Sequence, residues 1–161
     1  MKILDDARAD LNARLTAGET LDCPCCGQLC RVYRRRLHAE MALNLLRLVV
    51  EHTKRGAGAF LHVREFVRGG AQAGKASTDA SYLVHWGLIE RKPEHRGAYR
   101  PTSDGIAFVR GELAVPSHVS IYDNRRVGQS RRLITIRDAF GRRFDYDELM
   151  RAAAEVSRPV L

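Results

Sequence analysis

The sequence has no cysteine after Cys30, although Cys23, Cys25, Cys26 and Cys30 crowd into "LDCPCCGQLC" near its start. A disulfide framework spread over the chain is therefore excluded, and four clustered thiols point to metal or redox chemistry, or to a tight turn. Long apolar runs are missing too. The longest, "MALNLLRLVV", is interrupted by Asn44 and Arg47 and falls well below the roughly 18 residues of a membrane span. "MKILDDARADLNARL" places Asp5 and Asp6 where a secretory leader would be apolar, so no export, a cytoplasmic location and reduced thiols are expected. Acidic residues are the scarcer sign: 19 Asp and Glu stand against 27 Lys and Arg, giving a net charge of +8 over 161 residues. Such a balance suits an anionic partner and no membrane.

Arginine clusters in "RVYRRR" (31–36), "DNRRVGQSRR" (123–132) and "RDAFGRRF" (137–144). Those clusters read either as phosphate contacts or as a solvated surface. Leu4, Ala7, Leu11 and Leu15 predict an amphipathic helix over 3–17, and "RVYRRR" reads as a short exposed strand. Ala39, Ala42, Leu45, Leu46, Val49 and Val50 draw one apolar face on a helix from about 38 to 54. An extended run (59–63), one or two helical turns (64–69), the breaker "GGAQAG" and a helix over 75–87 capped by Ser77 or Thr78 follow. "LIERK" (88–92), "PEHRG" and "AYRP" (98–101) make a hairpin, and Thr102 or Ser103 starts another helix. Beyond residue 113, "SHVSIYDN" and "RRLITIRD" read as hairpin arms joined by an arginine-rich tip, "RRVGQS". A final helix starts at Asp145, with Glu148 completing a capping-box pair.

Helix, short strand, short helix, helix and hairpin is the order of a winged helix-turn-helix. "WGLIERKPEHRGAYRPTSDGIAFVRG" resembles the wing of bacterial winged-helix proteins, a likeness covering about residues 38–112. The resemblance implies an α+β fold: a winged-helix core (38–112), an N-terminal helix with a cysteine knuckle (1–37), and a C-terminal β-hairpin plus helix (113–161) on the same core. It further implies that Trp86, Leu88, Ile89, Tyr99, Phe108 and Val109 are core, and that Gly105 permits close approach of the helix after the wing.

In the DNA-binding use of that fold, the second helix enters the major groove and the wing touches backbone. Lys75, Ser77, Thr78, Ser81, Tyr82 and His85 are then the groove-facing candidates, with Arg91, Lys92 and Arg96 on the wing and Arg125 and Arg126 flanking. The implied function is a non-enzymatic DNA-binding protein of the transcriptional-regulator kind, dimeric on two half-sites. Winged helices also bind proteins, so the alternative is a modulator whose arginines meet an acidic host protein surface. In size and arginine content the chain also resembles small bacteriophage or mobile-element proteins.

Cys23-Pro24-Cys25-Cys26-Gly27 contains the C-P-x-C-G pattern of a zinc knuckle, in which two thiolates of a tight turn face one ion. No second pair follows, so a structural zinc would need Cys23, Cys26, Cys30 and His38. A metal-free turn and redox chemistry stay open beside it. His62 and His85 read as structural. Gly69, Gly74 and Lys75 imitate a phosphate loop, but Ala76 stands where Ser or Thr should hold magnesium. No nucleophile–base or paired-carboxylate pattern is legible, and no enzyme is expected.

Overall fold

The computed structural model describes residues 3–68 and 73–156 of the chain. Helix α1 (Leu4–Thr16) leads to a hairpin of β1 (Leu21–Asp22) and β2 (Leu29–Cys30), then to β3 (Tyr33–Arg36) and helix α2 (Ala39–Arg55). Next come β4 (Leu61–His62), α3 (Val63–Phe66), α4 (Ala73–Ser81) and a 3-10 helix (Tyr82–Trp86). The strands β5 (Ile89–Arg91) and β6 (Ala98–Pro101) and helix α5 (Ser103–Val109) follow. The remainder holds β7 (Val115–Pro116), β8 (His118–Tyr122), β9 (Arg125–Gln129), β10 (Leu133–Ile134), α6 (Ile136–Phe140) and α7 (Tyr146–Val156). Helices and small antiparallel sheets make an α+β fold.

Helix α2 is its axis. The single apolar face expected from periodicity is exceeded, because every residue from Met41 to Leu46 is buried. The reason is tertiary: α3, α4, α5, α6 and β6 surround the helix, so even Asn44 is covered and accepts a hydrogen bond from Arg47 at 3.3 Å. Helix α1 departs in the other direction. Only Leu15 of its expected apolar face is buried and Leu4 is exposed, because the helix lies outside the main core.

Strands β4, β6 and β5 form a sheet in that order, pairing Leu61 with Tyr99 and Ile89 with Pro101. Ile89 and Tyr99 are buried there, beside Trp86, Leu88, Phe108 and Val109. Helix α5 is fixed by its start: Thr102 Oγ1 accepts from Gly105 N at 3.0 Å, and Thr102 N donates to the Leu88 carbonyl at 3.1 Å. That geometry brings backbone against backbone, since a Cβ on Gly105 would sit 2.0 Å from Leu88 O.

Helix α4 starts at Ala73, before the expected Ser77 or Thr78 cap. Thr78 is internal instead, and its hydroxyl donates to Gly74 O at 3.0 Å.

The C-terminal hairpin also differs from expectation. Asp123 and Asn124 both take positive φ (49° and 57°), which makes them the central pair of a two-residue turn whose twist suits a hairpin. "RRVGQ" is therefore strand β9 rather than a loop tip. Leu133–Ile134 pairs with Val115–Pro116 rather than with β8, and Ile136–Phe140 is helical, capped by Thr135. Strand β3 joins β8 and β9 in a second sheet of order β3-β8-β9, so residues far apart in sequence share one layer. Val115, Val119, Ile121, Ile136 and Phe140 extend the same core, and Asp145 caps α7 through Glu148 N at 2.9 Å.

The Gly105 contact yields a stability test. Gly105→Ala must displace α5 from Leu88, and urea unfolding is expected to show a loss of about 3 kcal/mol, the upper range for overpacking in a closed core. A loss below about 1 kcal/mol would show that α5 does not seat on the backbone of Leu88.

Candidate nucleic-acid interface

The 3-10 helix tightens the end of α4 because Leu83 and Trp86 must both reach the core. Trp86 donates from Nε1 to the Pro116 carbonyl at 2.7 Å, tying the C-terminal region to this segment. Gly87 then turns the chain in the left-handed region (φ 70°) into the buried Leu88.

On the other side of the segment, arginines from separate strands arrive. Arg35 of β3 lies 4.6 Å over the Tyr82 ring and donates to its hydroxyl at 3.3 Å. Arg126 of β9 donates to the His85 carbonyl at 3.2 Å. The His85 ring is buried, and its Nε2 has no hydrogen-bond partner among the described residues. Burial first, then the charges of Arg91 and Arg126, hold its pKa below the usual imidazole range, opposed by a hydrogen bond that the ring donates to Asn124. Cations of β3, β5 and β9 thus meet around residues 82–85.

This arrangement divides the candidate groove-facing set. Tyr82, half-exposed beside an open hollow, and the buried His85 are engaged by the second sheet, and Asp79 lies 3.6 Å from His38. Lys75 and Thr78 remain exposed, while the side chain of Ser77 lies outside the described residues. Ser81, whose hydroxyl donates to Thr78 O at 2.6 Å, borders an open cleft of about 570 Å³. Across that cleft stand Arg91, Lys92, His95 and Arg96 of the β5–β6 hairpin, with Glu94 the one carboxylate in its lining. Arg125 sits apart, bordering a shallow hollow with Leu15, Val32 and Val127.

Charge is segregated in the fold. The ion pairs among the described residues include Arg8 with Asp5, Arg14 with Glu19, His38 with Asp79, Lys54 with Glu51, Arg55 with Glu65, Arg100 with Glu90, Arg137 with Asp147 and Arg143 with Glu40. Arg35, Arg91, Lys92, Arg96 and Arg126 enter none of them. Sequence reasoning named Arg35 only within the 31–36 cluster and could not place it, because no local pattern reveals that β3 will pair with β8.

The cysteine segment forms a tight hairpin loop. Cys23 N donates to Gln28 O at 2.7 Å, Gly27 N returns to Cys23 O at 2.8 Å, and Gly27 takes φ 72°. The Cys23 sulfur receives the backbone N–H of Cys25 and then of Cys26, which holds its pKa below the usual thiol value. The turn therefore has the amide support of a knuckle. The four-ligand zinc set does not assemble, however. Cys30 and His38 flank extended β3, whose three steps alone span about 10 Å, and His38 lies beside Asp79. Ligands of one zinc lie within about 4 Å of each other. Among the described residues no group of three or more His, Cys, Asp or Glu side chains is placed to hold a metal ion.

His62 is structural, its Nδ1 accepting from Arg64 N at 3.2 Å as the cap of α3. No helix among the described residues is long and apolar enough to cross a membrane. Comparison with protein-family models, curated proteins and solved structures finds no match for this chain.

The depressed pKa of His85 sets a pH dependence. Below about pH 6.5 the unfolded chain takes up a proton there that the folded chain refuses, so stability falls as pH drops from 6.5 toward the lowered folded value. Urea unfolding at pH 7.5, 6 and 5 is expected to show this decline, with His85 contributing less than about 1.4 kcal/mol per pH unit, the limit for one proton. His85→Gln should flatten the curve; an unchanged slope would show that His85 is protonated in the folded chain.

Proposed function

We propose that this chain is a non-enzymatic DNA-binding protein built on a winged helix, gripping the phosphate backbone more than it reads bases. The winged-helix reading is supported by the order α2, β4, α3, α4, β5, β6 and by the sheet order β4-β6-β5, which sets a hairpin beside the end of α4. The observation that carries the function is the meeting of Arg35, Arg91 and Arg126 at residues 82–85, next to the cleft lined by Lys92 and Arg96. Unpaired cations drawn together by a fold repel one another, and a polyanion relieves that repulsion while releasing its own counterions.

With Tyr82 and His85 engaged internally, the helix offers Lys75, Thr78 and Ser81 to a duplex. Few base-edge contacts are then available, so affinity comes from phosphates and sequence preference is modest. The same coverage favours a second reading, in which the cleft and its arginines receive an acidic protein surface.

The deciding experiment is fluorescence anisotropy of a labelled mixed-sequence duplex over a salt series. Binding should weaken steeply with salt, and Arg91→Ala, Lys92→Ala and Arg96→Ala together should lower the log–log slope by about 1 for each phosphate contact removed. No binding at low salt would reject the DNA reading and leave the acidic-protein one. Zinc on Cys23, Cys26, Cys30 and His38 would require these side chains to move together on binding, since no three such ligands are grouped among the described residues. Elemental analysis of protein purified without chelator should then give about one zinc per chain. A zinc-free, fully folded preparation would leave a metal-free turn.

A further inference from the structure

The outer face of the second sheet holds a different cluster. Side chains opposite one another in an antiparallel pair lie on the same face, and the register sets Arg36 against His118 and Arg34 against Ser120. Val119 and Ile121, which alternate with these, are buried on the inner face, so Arg34, Arg36, His118 and Ser120 share the outer one. Ser120 also faces Gly128 of β9, where the absent side chain leaves the floor of the sheet low.

From the far edge, Arg132 reaches the same place. Its carbonyl accepts from Ser117 N at 2.9 Å and from the Ser130 hydroxyl at 3.2 Å, which folds the 130–132 segment back over the end of β8. The His118 ring is oriented by Nδ1, 2.9 Å from the Ser117 hydroxyl, and Ser130 Oγ lies 3.0 Å from the same hydroxyl. Arg34, Arg36 and Arg132 are exposed and enter no ion pair among the described residues. Partial burial and then the charges of Arg34, Arg36 and Arg132 lower the His118 pKa from its usual value, and no carboxylate acts on it. Three cations around one imidazole, with hydroxyls beside them and one carboxylate, Asp138, near Arg132, form a cradle for an oxyanion.

We propose that Arg34, Arg36, Arg132 and His118 form a phosphate-binding site on the outer face of the second sheet, separate from the cleft beside α4. Its ligand is a phosphate group: a phosphodiester of a nucleic-acid backbone, resting in that case on the DNA reading above, or a free phosphate. The guanidinium groups supply paired donors matched to a tetrahedral oxyanion, and the low floor at Ser120 and Gly128 admits it. Binding is linked to a proton. The anion offsets the cationic charge that, after burial, lowers the proton affinity of His118, so the bound state raises that affinity, and by reciprocity the protonated ring binds the anion more tightly. The groups facing His118 are Arg34 and Arg36 from β3, Arg132 from the edge segment, and the hydroxyls of Ser117 and Ser130. None of these but His118 titrates between pH 5 and 8, where the phosphodiester charge is also constant.

The test follows the His118 ring by NMR in the full-length chain during pH titration, alone, with a short duplex and with inorganic phosphate. A rise of about one pH unit in the His118 midpoint with the duplex is expected, matched by roughly tenfold tighter duplex binding through the protonated ring. The response should survive Arg91→Ala, Lys92→Ala and Arg96→Ala, and vanish in Arg34→Gln with Arg36→Gln, whose dispersed spectrum reports an intact fold. A midpoint that rises with inorganic phosphate while no duplex binds at low salt supports the site and defeats the DNA reading. If the duplex binds but His118 is silent to both ligands, the DNA reading stands and this site is overturned. Silence to both ligands without duplex binding overturns both.

Discussion

The hydrogen bond from Trp86 to the Pro116 carbonyl, made by an indole buried in the core, is the constraint on which the rest of the molecule depends. It joins the 3-10 helix that ends α4 to the start of the C-terminal region. Once Pro116 is placed, Ser117 N reaches the Arg132 carbonyl, Leu37 N reaches the Ser117 carbonyl, and β8 is aligned beside β3. Strand β9 follows by its two-residue turn and delivers Arg126 to His85. A single buried donor thus governs where cations from distant segments meet.

Arginine rather than lysine suits this role for physical reasons. Arg35 uses its flat face on the Tyr82 ring and one N–H on the hydroxyl, and Arg126 uses one N–H on a backbone carbonyl. Each guanidinium keeps further donors and its full charge. Fixing these side chains in the free protein would lower the entropy lost on holding an oxyanion, which a lysine on four free torsions would not do. Arg31 over Tyr33, at 4.4 Å, repeats the device nearer the cysteine hairpin.

Local rules were legible where the chemistry is local. Thr102 and Asp145 announce their helices, because a hydroxyl or carboxylate at that position has only nearby amides to bond, and Gly105 stands where a neighbouring backbone leaves no room for a Cβ. The order of elements from α2 to α5 could be read from period and breakers alone. What escaped was long-range. The alternation in "RRLITIRD" suggested a strand, yet "DN" at 123–124 was the stronger turn signal, and it moved the hairpin by its whole second arm. Nothing within six residues of Arg35 reveals its pairing with Val119, and nothing near His38 predicts Asp79. The candidate site was therefore legible as residue types but not as contacts: Tyr82 takes Arg35 on its ring and hydroxyl, and the His85 carbonyl takes Arg126, from strands far away in sequence.

The two basic surfaces are best understood together. Val119 and Ile121 fill the inner face of the second sheet, so Arg35 and Arg126 lie on one side of a strand layer and Arg34 and Arg36 on the other. Alternation in "RRR" (34–36) makes this unavoidable: consecutive arginines on a strand cannot share a face. Glu19, Glu40, Glu65, Glu90 and Asp147 neutralise other arginines, and Asp123 borders the Arg35 side of the sheet. One strand layer does little to screen charges on its two faces, while mobile ions outside do so over roughly 8 Å at physiological salt. Repulsion between the cations on the two faces therefore falls as salt rises, and an anion bound on one face would ease the cost of holding the cations on the other.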